Sequence, residues 1–340
     1  MNVVVTGGTR GLGKSVVEFF LSKGFNVATC SISKKSCDEF ISNIVFDSNS
    51  LYIERCDVSK QDEVKKFISN VIKKYQKIDI LINNAGIHVP IERFYNNNPA
   101  EWINTINVNL NGVFLMSHYV VKHMIDQKFG RIVNLSGGGA TKPMPLYSAY
   151  SASKAAIVRL TECMADELLG NNILVNSIAP GFIATDIHNS SIDAGKELLG
   201  DYYEFTLKNL REGGANIQHA INLIDLLSSK KCAFNGKLIS AIFDDWQGIQ
   251  NSGEFLAGDT TYLEIKPVWD QAYGFSRPTE ISIAQDGRIF VADEGNQSIL
   301  VFDQDGNQPV GFNSLINLKD FQGNSVSPID VDIDKKMNIL

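Results

Sequence analysis

The sequence predicts an α/β fold in which a doubly wound parallel sheet of about seven strands is followed by an all-β segment. Short runs rich in β-branched residues alternate with longer segments of helical periodicity through most of the chain. A glycine-rich turn separates the first of these runs from the first helical segment. From about residue 260, helical periodicity is lost and apolar residues alternate with polar ones around Asp-Gly turns.

Seven apolar runs have the length and composition of buried strands. They lie at residues 2–6, 25–30, 51–56, 78–82, 131–135, 173–178 and 236–241. Helical periodicity predicts helices at residues 14–23, 99–127, 149–169 and 213–229. Strands that alternate with helices in this way are typical of a parallel sheet with helices on its faces.

The composition is that of an ordinary globular protein. The chain has 340 residues, of which 44% are hydrophobic and 20% are charged, a length that suggests two domains. Its net charge of −7 argues against nucleic-acid binding, and no apolar run approaches the ~18 residues that a membrane span needs. The five cysteines form no Cys-x-x-Cys pair, so we expect reduced thiols, no metal site and a cytoplasmic protein without a signal peptide.

A candidate catalytic pair stands at the start of the helix predicted at residues 149–169. Tyr150 and Lys154 are four residues apart, so their side chains share one helical face. A free tyrosine has a pKa of about 10. A nearby positive charge favours the phenolate, so the pair can act as an acid and base near neutral pH. The alternative is an ordinary helix start with a half-buried tyrosine. Tyr147 lacks a lysine partner, because Ser151 stands four residues after it.

A candidate nucleotide site lies between the first strand and the helix that follows it. Glycines occur there at positions 7, 8, 11 and 13. Glycines let the backbone approach a pyrophosphate, and the N-terminus of the helix supplies N–H groups and a partial positive charge. The alternative is a plain tight turn, but the position between a strand and a helix favours a nucleotide site.

Motifs in their order along the chain resemble those of the short-chain dehydrogenases/reductases. Residues 6–13 match the family pattern Thr-Gly-x-x-x-Gly-x-Gly, and residues 83–86 match its Asn-Asn-Ala-Gly. Residues 150–154 match Tyr-x-x-x-Lys, and residues 180–185 match Pro-Gly-x-x-x-Thr. The resemblance covers about residues 1–247. It implies a Rossmann-type fold and reversible hydride transfer between a nicotinamide and a carbonyl/alcohol pair.

The resemblance also implies where a cofactor binds. Family members hold the pyrophosphate on the glycine turn, the adenine near an Asp-Val pair and the nicotinamide carboxamide near the Pro-Gly-x-x-x-Thr motif. The cofactor-binding residues implied here, which include the catalytic pair, are Thr6, Gly7, Thr9, Arg10, Gly11, Leu12, Gly13, Ser31, Asp57, Val58, Asn84, Ala85, Gly86, Tyr150, Lys154, Pro180, Gly181, Ile183 and Thr185. Asn109 is implied as a member of a proton relay to the lysine, with Asn107 and Asn111 as the alternatives.

The sequence departs from the family pattern at the catalytic serine. Family members place this serine thirteen residues before the tyrosine, where this chain has Gly137. Ser136 stands one residue earlier, and the three glycines that follow it allow a local adjustment. We therefore expect Ser136 to orient and polarise the substrate carbonyl. The alternatives are that Tyr150 alone, or a backbone N–H, holds the carbonyl oxygen.

The end of the second predicted strand favours NADP over NAD. Family members that use NAD place an acidic residue there to bind the ribose 2′-hydroxyl. Residues 29–35 contain no acid, and the first one is Asp38. Polar and basic side chains in this region can bind the 2′-phosphate of NADP, although such cations are also common on solvated surfaces. They are Arg10, Ser31, Lys34 and Lys35.

The tail resembles repeats of the NHL type, which build β-propellers. Residues 277–294 read as a strand, an Asp-Gly turn and a strand, another strand follows at 298–302, and a partial second copy begins at Ser327. One blade cannot close a propeller, so we expect a truncated sequence or a ring completed by another chain. The predicted organisation is a dehydrogenase domain at 1–249, a linker at 250–262 and a partial NHL-like segment at 263–340.

The leading hypothesis is an NADP-dependent oxidoreductase that acts on a small-molecule carbonyl or alcohol, with a homodimer or homotetramer implied by the resemblance. The alternative is a non-catalytic nucleotide-binding sensor or scaffold that presents the β tail, for which Gly137 and the tail itself are the support. A nucleotide-sugar dehydratase or epimerase shares the Tyr/Lys pair, but residues 185–213 are short for its substrate domain. We interpret residues 186–211 as the substrate lid.

Overall fold

The computed structural model describes residues 1–44, 46, 49–248, 278–283, 289–302 and 315–317. The chain divides into two compact units, Met1–Leu263 and Glu264–Leu340, and each is described by itself. The linker predicted at 250–262 lies outside the described residues.

The first unit is built on a seven-stranded sheet, as the sequence predicted. Its strands are β1 (Asn2–Thr6), β2 (Asn26–Ser31), β3 (Leu51–Arg55), β4 (Ile80–Asn83), β5 (Gly130–Leu135), β6 (Ile173–Ala179) and β7 (Leu238–Ser240). They pair in the order β3-β2-β1-β4-β5-β6-β7. Because every pair is parallel, each connection must cross a face of the sheet.

Ten α-helices occur in the described part of the first unit. They are α1 (Gly11–Ser22), α2 (Lys34–Asn43), α3 (Gln61–Tyr75), α4 (Pro99–Ile106), α5 (Gly112–Asp126), α6 (Ser148–Leu168), α7 (Asn189–Ala194), α8 (Lys196–Leu199), α9 (Asp201–Glu212) and α10 (Ile217–Ser228). Side chains of Ser33, Asn98 and Asn216 cap the starts of α2, α4 and α10 by accepting backbone N–H groups. None of the helices in the described residues is long and apolar enough to span a membrane.

The helices form a layer on each face of the sheet, so the unit has two apolar cores. One core joins α1 and α10 to the sheet, and the other joins α3, α5 and α6 to it. The alternating side chains of β1 show the division, because Val3 and Val5 belong to the first core and Val4 to the second. Both faces of the central strands are therefore buried, which explains their continuous apolar composition.

The chain changes direction across the sheet at β1. It leaves β1 for β2 and β3 on one side, then crosses back to β4 on the other side of β1. The loops that follow β1 and β4 therefore lead away from each other and leave a crevice at the carboxyl ends of the strands. In open α/β sheets, such a switch point is where ligands bind.

The helix predicted at residues 99–127 is wrong as a continuous element. A π-helical segment, Asn107–Asn111, separates α4 from α5. The apolar pattern does not reveal it, because one wider turn hardly changes the helical periodicity. Helices α2 and α3 are absent from the prediction, and α7, α8 and α9 occupy the region that the sequence suggested as a lid.

The described part of the second unit is a four-stranded antiparallel sheet. Its strands are β8 (Pro278–Ile283), β9 (Ile289–Asp293), β10 (Ser298–Phe302) and β11 (Leu315–Asn317), which pair in the order β11-β10-β9-β8. Apolar side chains of β9 and β10, such as Phe290 and Val301, are buried. The three strands predicted at residues 277–302 are confirmed. The second copy predicted from Ser327 lies outside the described residues.

Candidate active site

The glycine turn between β1 and α1 forms one wall of the crevice. Gly7 and Gly11 have φ angles of 65° and 53°, which residues with a Cβ rarely adopt. A Cβ on Gly13 would lie 2.4 Å from both Asn84 Nδ2 and the carbonyl oxygen of Gly7, so the packing here requires glycine. The Gly7 N–H donates a hydrogen bond of 2.9 Å to the Cys30 carbonyl, which fixes the turn on β2.

Thr6 joins the ends of β1 and β4 behind this turn. Its Oγ1 accepts hydrogen bonds from the N–H groups of Asn84 and Ala85, at 3.0 and 2.9 Å. The Asn84 side chain donates in return to the Thr6 carbonyl at 2.9 Å. Thr6 is buried, so it supports the crevice and does not face it.

A cavity of about 370 Å³ fills the crevice. Apart from Thr6, every cofactor-binding residue that the resemblance implied lines it, as does Ser136. These lining residues are Gly7, Thr9, Arg10, Gly11, Leu12, Gly13, Ser31, Asp57, Val58, Asn84, Ala85, Gly86, Ser136, Tyr150, Lys154, Pro180, Gly181, Ile183 and Thr185. The fold therefore brings together residues from seven separate loops and helices that are far apart in the sequence.

Tyr150 and Lys154 lie on the first turns of α6 and face this cavity. Lys154 Nζ is 5.5 Å from the centre of the Tyr150 ring and donates a hydrogen bond of 2.7 Å to the Leu135 carbonyl. Burial lowers the pKa of Lys154 to about 8, and burial together with Tyr202 raises the pKa of Tyr150 to about 12. Burial thus outweighs the neighbouring cation, and Tyr150 is a protonated phenol at neutral pH.

Asn109 lies in the π-helical segment and is fully buried. Its Oδ1 accepts the Ile87 N–H at 2.8 Å, and its Nδ2 donates to the Ile87 carbonyl at 2.8 Å and to Ser153 Oγ at 3.0 Å. A Cβ on Gly86 would lie 3.3 Å from Asn109 Oδ1 and 3.6 Å from Lys154 Nζ. The π-helical turn therefore holds the loop after β4 beside the catalytic helix, and the relay role of Asn109 stays a prediction.

Ser136 and Gly137 follow β5. The Ser136 hydroxyl donates a hydrogen bond of 3.1 Å to the Lys154 carbonyl, which ties the end of β5 to α6. A Cβ on Gly137 would lie 2.5 Å from the Tyr150 hydroxyl oxygen. A Cβ at this distance would overlap the oxygen, so the Tyr150 hydroxyl occupies the space that a side chain at position 137 would need. The carbonyl-orienting role of Ser136 stays a prediction.

The opposite end of the cavity is formed where β2 and β3 end. Asp57 Oδ1 accepts hydrogen bonds from the Ser59 N–H at 3.0 Å and the Ser59 hydroxyl at 2.7 Å. Ser31 and the exposed Arg10 line this end. The lysines predicted beside them begin α2 and do not line the cavity, and Lys35 lies 3.7 Å from Glu39.

The loop after β6 crosses over the glycine turn. A Cβ on Gly11 would lie 3.2 Å from Thr185 Cγ2, so the two loops are in close contact. Gly181 has a φ of 84°, and the Ala215 N–H donates to the Phe182 carbonyl at 2.7 Å, which anchors the loop to the start of α10. The residues implied for the nicotinamide carboxamide are thus held between the glycine turn and the lid.

Two histidines that the sequence analysis missed lie at the substrate end. His88 follows the Asn-Asn-Ala-Gly motif, and His188 precedes α7. Their ring centres are 5.6 Å apart, and the His88 ring lies edge-on to Tyr150 at 6.2 Å. Burial lowers the pKa of both histidines to about 4, so both are neutral at pH 7. The only sequence signal for either was the position of His88 two residues after that motif.

Hydrogen bonds tie the lid to this end of the cavity. Tyr147 donates a bond of 2.9 Å to Ser191 Oγ, and His88 Nε2 forms a short hydrogen bond with Ser190 Oγ. The lid residue Tyr202 packs against Tyr147 with ring centres 5.5 Å apart. In the described residues no group of three His, Cys, Asp or Glu side chains is arranged to hold a metal ion, and the five cysteines are free.

Comparison with known protein families identifies the family to which this chain belongs. The sequence model of the family described as short chain dehydrogenase matches residues 1–195, more than half of the chain. The chain belongs to the short-chain dehydrogenase family. It is therefore a nicotinamide-dependent oxidoreductase, as the sequence predicted. An NHL repeat matches residues 275–302 of this dehydrogenase, which confirms the predicted character of its tail.

Curated relatives of the dehydrogenase include several 3-oxoacyl-acyl-carrier-protein reductases. The protein of Thermotoga maritima is 34% identical over 194 residues, which are 57% of this chain and 78% of the relative. The protein of Synechocystis is 34% identical over 185 residues, 54% of this chain and 74% of the relative. These matches support the oxidoreductase hypothesis and lend no support to a non-catalytic sensor or scaffold.

Solved structures confirm the fold. Levodione reductase has a TM-score of 0.64 and 25% identity, over 70% of this chain and 95% of that chain. A polyketide ketoreductase in complex with NADPH has a TM-score of 0.63 over 70% of this chain and 94% of its own, and at 22% identity it supports the fold alone. A variant of ElxO with NADPH bound has a TM-score of 0.63 and 25% identity, over 71% and 96% of the two chains.

Proposed function

We propose that the protein is an NADPH-dependent reductase that converts a carbonyl group of a small molecule into an alcohol. The observation that carries the proposal is the position of Tyr150, a protonated phenol beside Lys154, in the same cavity as the glycine turn. One site thus combines the glycine turn, which can bind the cofactor, with an acid that can protonate the carbonyl oxygen. The names of the curated relatives, which are reductases of 3-oxoacyl groups, support the direction of the reaction.

The bound nicotinamide supplies the hydride in this reaction. Tyr150 donates its phenolic proton to the carbonyl oxygen as the alcohol forms, for which its raised pKa keeps it protonated. Lys154 would hold the ribose of the cofactor through hydrogen bonds to its hydroxyls. Ser136 is our candidate for orienting the carbonyl, and Asn109 for connecting Lys154 to solvent.

The residues of the glycine turn hold the pyrophosphate, because their N–H groups and the start of α1 offer partial positive charge to it. Asp57 and Val58 bind the adenine, and the segment from Pro180 to Thr185 binds the carboxamide. Arg10 and Ser31 bind the 2′-phosphate, since both line the cavity and no acid follows β2 within residues 31–35. The NADPH bound in the similar ElxO structure supports this choice of cofactor.

The substrate we propose is a compact carbonyl compound. Aromatic rings pair at this end, Phe182 with His188 and the lid residue Tyr202 with Tyr147, and Tyr147 donates a hydrogen bond to Ser191 of α7. A short 3-oxoacyl thioester and a cyclic diketone are the first probes, because the similar proteins are named for such substrates.

Further proposals concern the assembly, the cellular location and the domain limits of the protein. Ile103 on α4 and Phe114 on α5 are large apolar side chains with 54% and 49% of their surface exposed. Covering such side chains fits a homodimer or homotetramer formed through these helices. The free cysteines fit a cytoplasmic protein, and the dehydrogenase domain spans residues 1–249 in this proposal.

The test compares NADPH oxidation by the full chain and by its Tyr150→Phe variant with both probes. We expect turnover in the wild type and a loss of about 10²–10⁴-fold in kcat in the variant, because the general acid is removed. NADPH binding should persist in the variant, since the phenyl ring still packs in place. Undiminished turnover in a folded Tyr150→Phe variant would rule out the proposed mechanism.

A further inference from the structure

The Tyr150 hydroxyl lacks the polar neighbour that residue 137 would supply. Gly137 has no side chain, and a Cβ there would already lie 2.5 Å from the Tyr150 oxygen. The hydroxyl of Ser136, the next candidate, donates to the Lys154 carbonyl at 3.1 Å. A second hydrogen-bond donor to a carbonyl oxygen at Tyr150 would therefore come from another part of the cavity wall.

His88 is placed to be that donor. It lines the same cavity, and its ring lies edge-on to the Tyr150 ring with the centres 6.2 Å apart and the planes at 82°. Its loop is fixed from behind, because Asn109 bonds both the N–H and the carbonyl of the preceding residue, Ile87. The histidine is thus held in position by the same asparagine that donates a hydrogen bond to Ser153, the neighbour of Lys154 in the chain.

The hydrogen bond to the lid bears on which nitrogen of His88 carries the ring proton. Ser190 Oγ has one hydrogen and can donate it either to the Ile187 carbonyl at 3.1 Å or to His88 Nε2. Our proposal takes the second arrangement, in which Nε2 accepts the hydrogen and Nδ1 carries the ring proton. Nδ1 has no hydrogen-bond partner among the residues that the structure describes.

We propose that His88 donates a hydrogen bond from Nδ1 to the carbonyl oxygen of the substrate and so replaces the serine that the family places at position 137. This inference rests on the proposed function. The hydride adds to the carbonyl carbon, the electron pair of the C=O bond moves to oxygen, and that oxygen takes the proton of Tyr150. His88 neither gains nor loses a proton, and it stabilises the negative charge that develops on oxygen.

The charge state of His88 suits this role. Burial, with a smaller effect of His188, lowers its pKa to about 4, so it is a neutral donor at pH 7. A neutral imidazole can polarise a carbonyl without placing a second buried cation next to Lys154. His188 is placed differently, because its ring stacks on Phe182 with the centres 3.8 Å apart and it contacts His88 at the edge.

The test uses the full chain, two variants at position 88 and one control variant. His88→Phe keeps an aromatic ring and removes both nitrogens, whereas His88→Asn returns a polar group near Nδ1. The control is His219→Asn, which changes an exposed histidine on α10. We measure kcat and KM with NADPH and the N-acetylcysteamine thioester of 3-oxobutanoate, together with the Kd of NADPH and the Tm of each variant.

We expect His88→Phe to lower kcat by about 10²–10³-fold, as the loss of one donor to a developing oxyanion does elsewhere. The Kd of NADPH and the Tm should change little, and His88→Asn should restore most of kcat. A merely structural role for His88 predicts no such rescue.

Wild-type kcat in a folded His88→Phe variant would overturn the inference, as would an equal loss in the Phe and Asn variants at unchanged Tm. If His88→Phe does not fold, His88→Asn alone decides, because a loss of more than about 10²-fold in it also contradicts a donor role. The Tyr150→Phe variant separates the two proposals. Turnover that depends on Tyr150 but not on His88 refutes this inference alone, whereas turnover independent of Tyr150 refutes the proposed function.

Discussion

The cofactor end and the substrate end of the cavity differ in what fixes them. At the cofactor end, the backbone is the binding surface, and Gly7, Gly11 and Gly13 are required by φ angles or by close packing. At the substrate end, side chains from distant segments form the surface, among them His88 and Tyr202. A surface made of backbone in a required conformation allows few amino acids at each position. A surface made of side chains can instead be formed by different residues while the reaction stays the same.

The largest predicted effect is that of Lys154→Met, at the junction between the cofactor end and the substrate end of the cavity. The variant keeps the length of the side chain and removes the cation that lies beside Tyr150 and that we propose to hold the ribose. We expect kcat to fall by about 10²–10⁴-fold and NADPH binding to weaken, measured by steady-state kinetics and fluorescence titration. The control is Lys142→Met, a change at an exposed lysine. Equal kcat values in the two variants would show that Lys154 takes no part in the mechanism.

A smaller effect is expected at the phosphate side of the cofactor end. Arg10→Ala should weaken NADPH by about 10–100-fold, because a hydrogen bond to a charged group contributes about 1.5–3 kcal/mol. NADH lacks the 2′-phosphate, so its Kd should not change. Arg93→Ala serves as the control, since Arg93 does not line the cavity. An equal loss of affinity for NADPH and NADH would show that Arg10 supports the glycine turn and does not bind the 2′-phosphate.

The support behind the glycine turn should contribute to stability more than to chemistry. Thr6→Val keeps the shape of the side chain but leaves the Ala85 N–H without its acceptor, whereas the Asn84 N–H keeps the Ile82 carbonyl at 3.1 Å. We expect the free energy of unfolding to fall by about 1–3 kcal/mol per buried N–H left unpaired, measured by urea denaturation. Saturating NADPH should recover part of that loss, since the ligand binds the native state. An unchanged midpoint would contradict the role of Thr6.

The smallest effect belongs to the substrate end and depends on pH. His88 and His188 have native pKa values of about 4, whereas an unfolded histidine has a pKa of about 6.5. The unfolded chain therefore binds more protons between these values, and both groups destabilise the native state as the pH falls from about 6.5 to about 4.

The Tm of the wild type should consequently decrease more over this range than that of His188→Phe, which removes one of the two groups. Thermal melts of both proteins at several pH values measure the difference, and His219→Phe is the control. Parallel Tm curves for the wild type and His188→Phe would show that these histidines do not titrate as the buried geometry requires.

The sequence also predicted the cofactor end of the cavity better than the substrate end. Strands β1 to β7 and the glycine turn were predicted because each carries a local pattern, an apolar run or a required glycine. The π-helical segment at Asn109 was not, since one wide turn leaves the apolar periodicity almost unchanged. His88 and His188 were missed because 100 residues separate two histidines that only the fold brings together.

Gly137 shows where a pattern is informative but incomplete. The sequence showed that a serine is missing, yet only the structure shows that the Tyr150 hydroxyl occupies the space next to Gly137. The pKa of Tyr150 is a similar case. The spacing of Tyr150 and Lys154 suggested a lowered value, whereas burial in the folded protein raises it to about 12. Burial is a property of the tertiary structure, and no short motif contains it.

The most direct test of the central claim is a fluorescence titration of the full chain with NADPH and with NADH in the same buffer. The proposed function predicts that NADPH binds more tightly by about 10-fold or more, since only NADPH offers a phosphate to Arg10 and Ser31. Equal or tighter binding of NADH would contradict the assignment of the cofactor. Binding of neither cofactor would contradict a working nicotinamide site in this cavity and the proposed reductase with it.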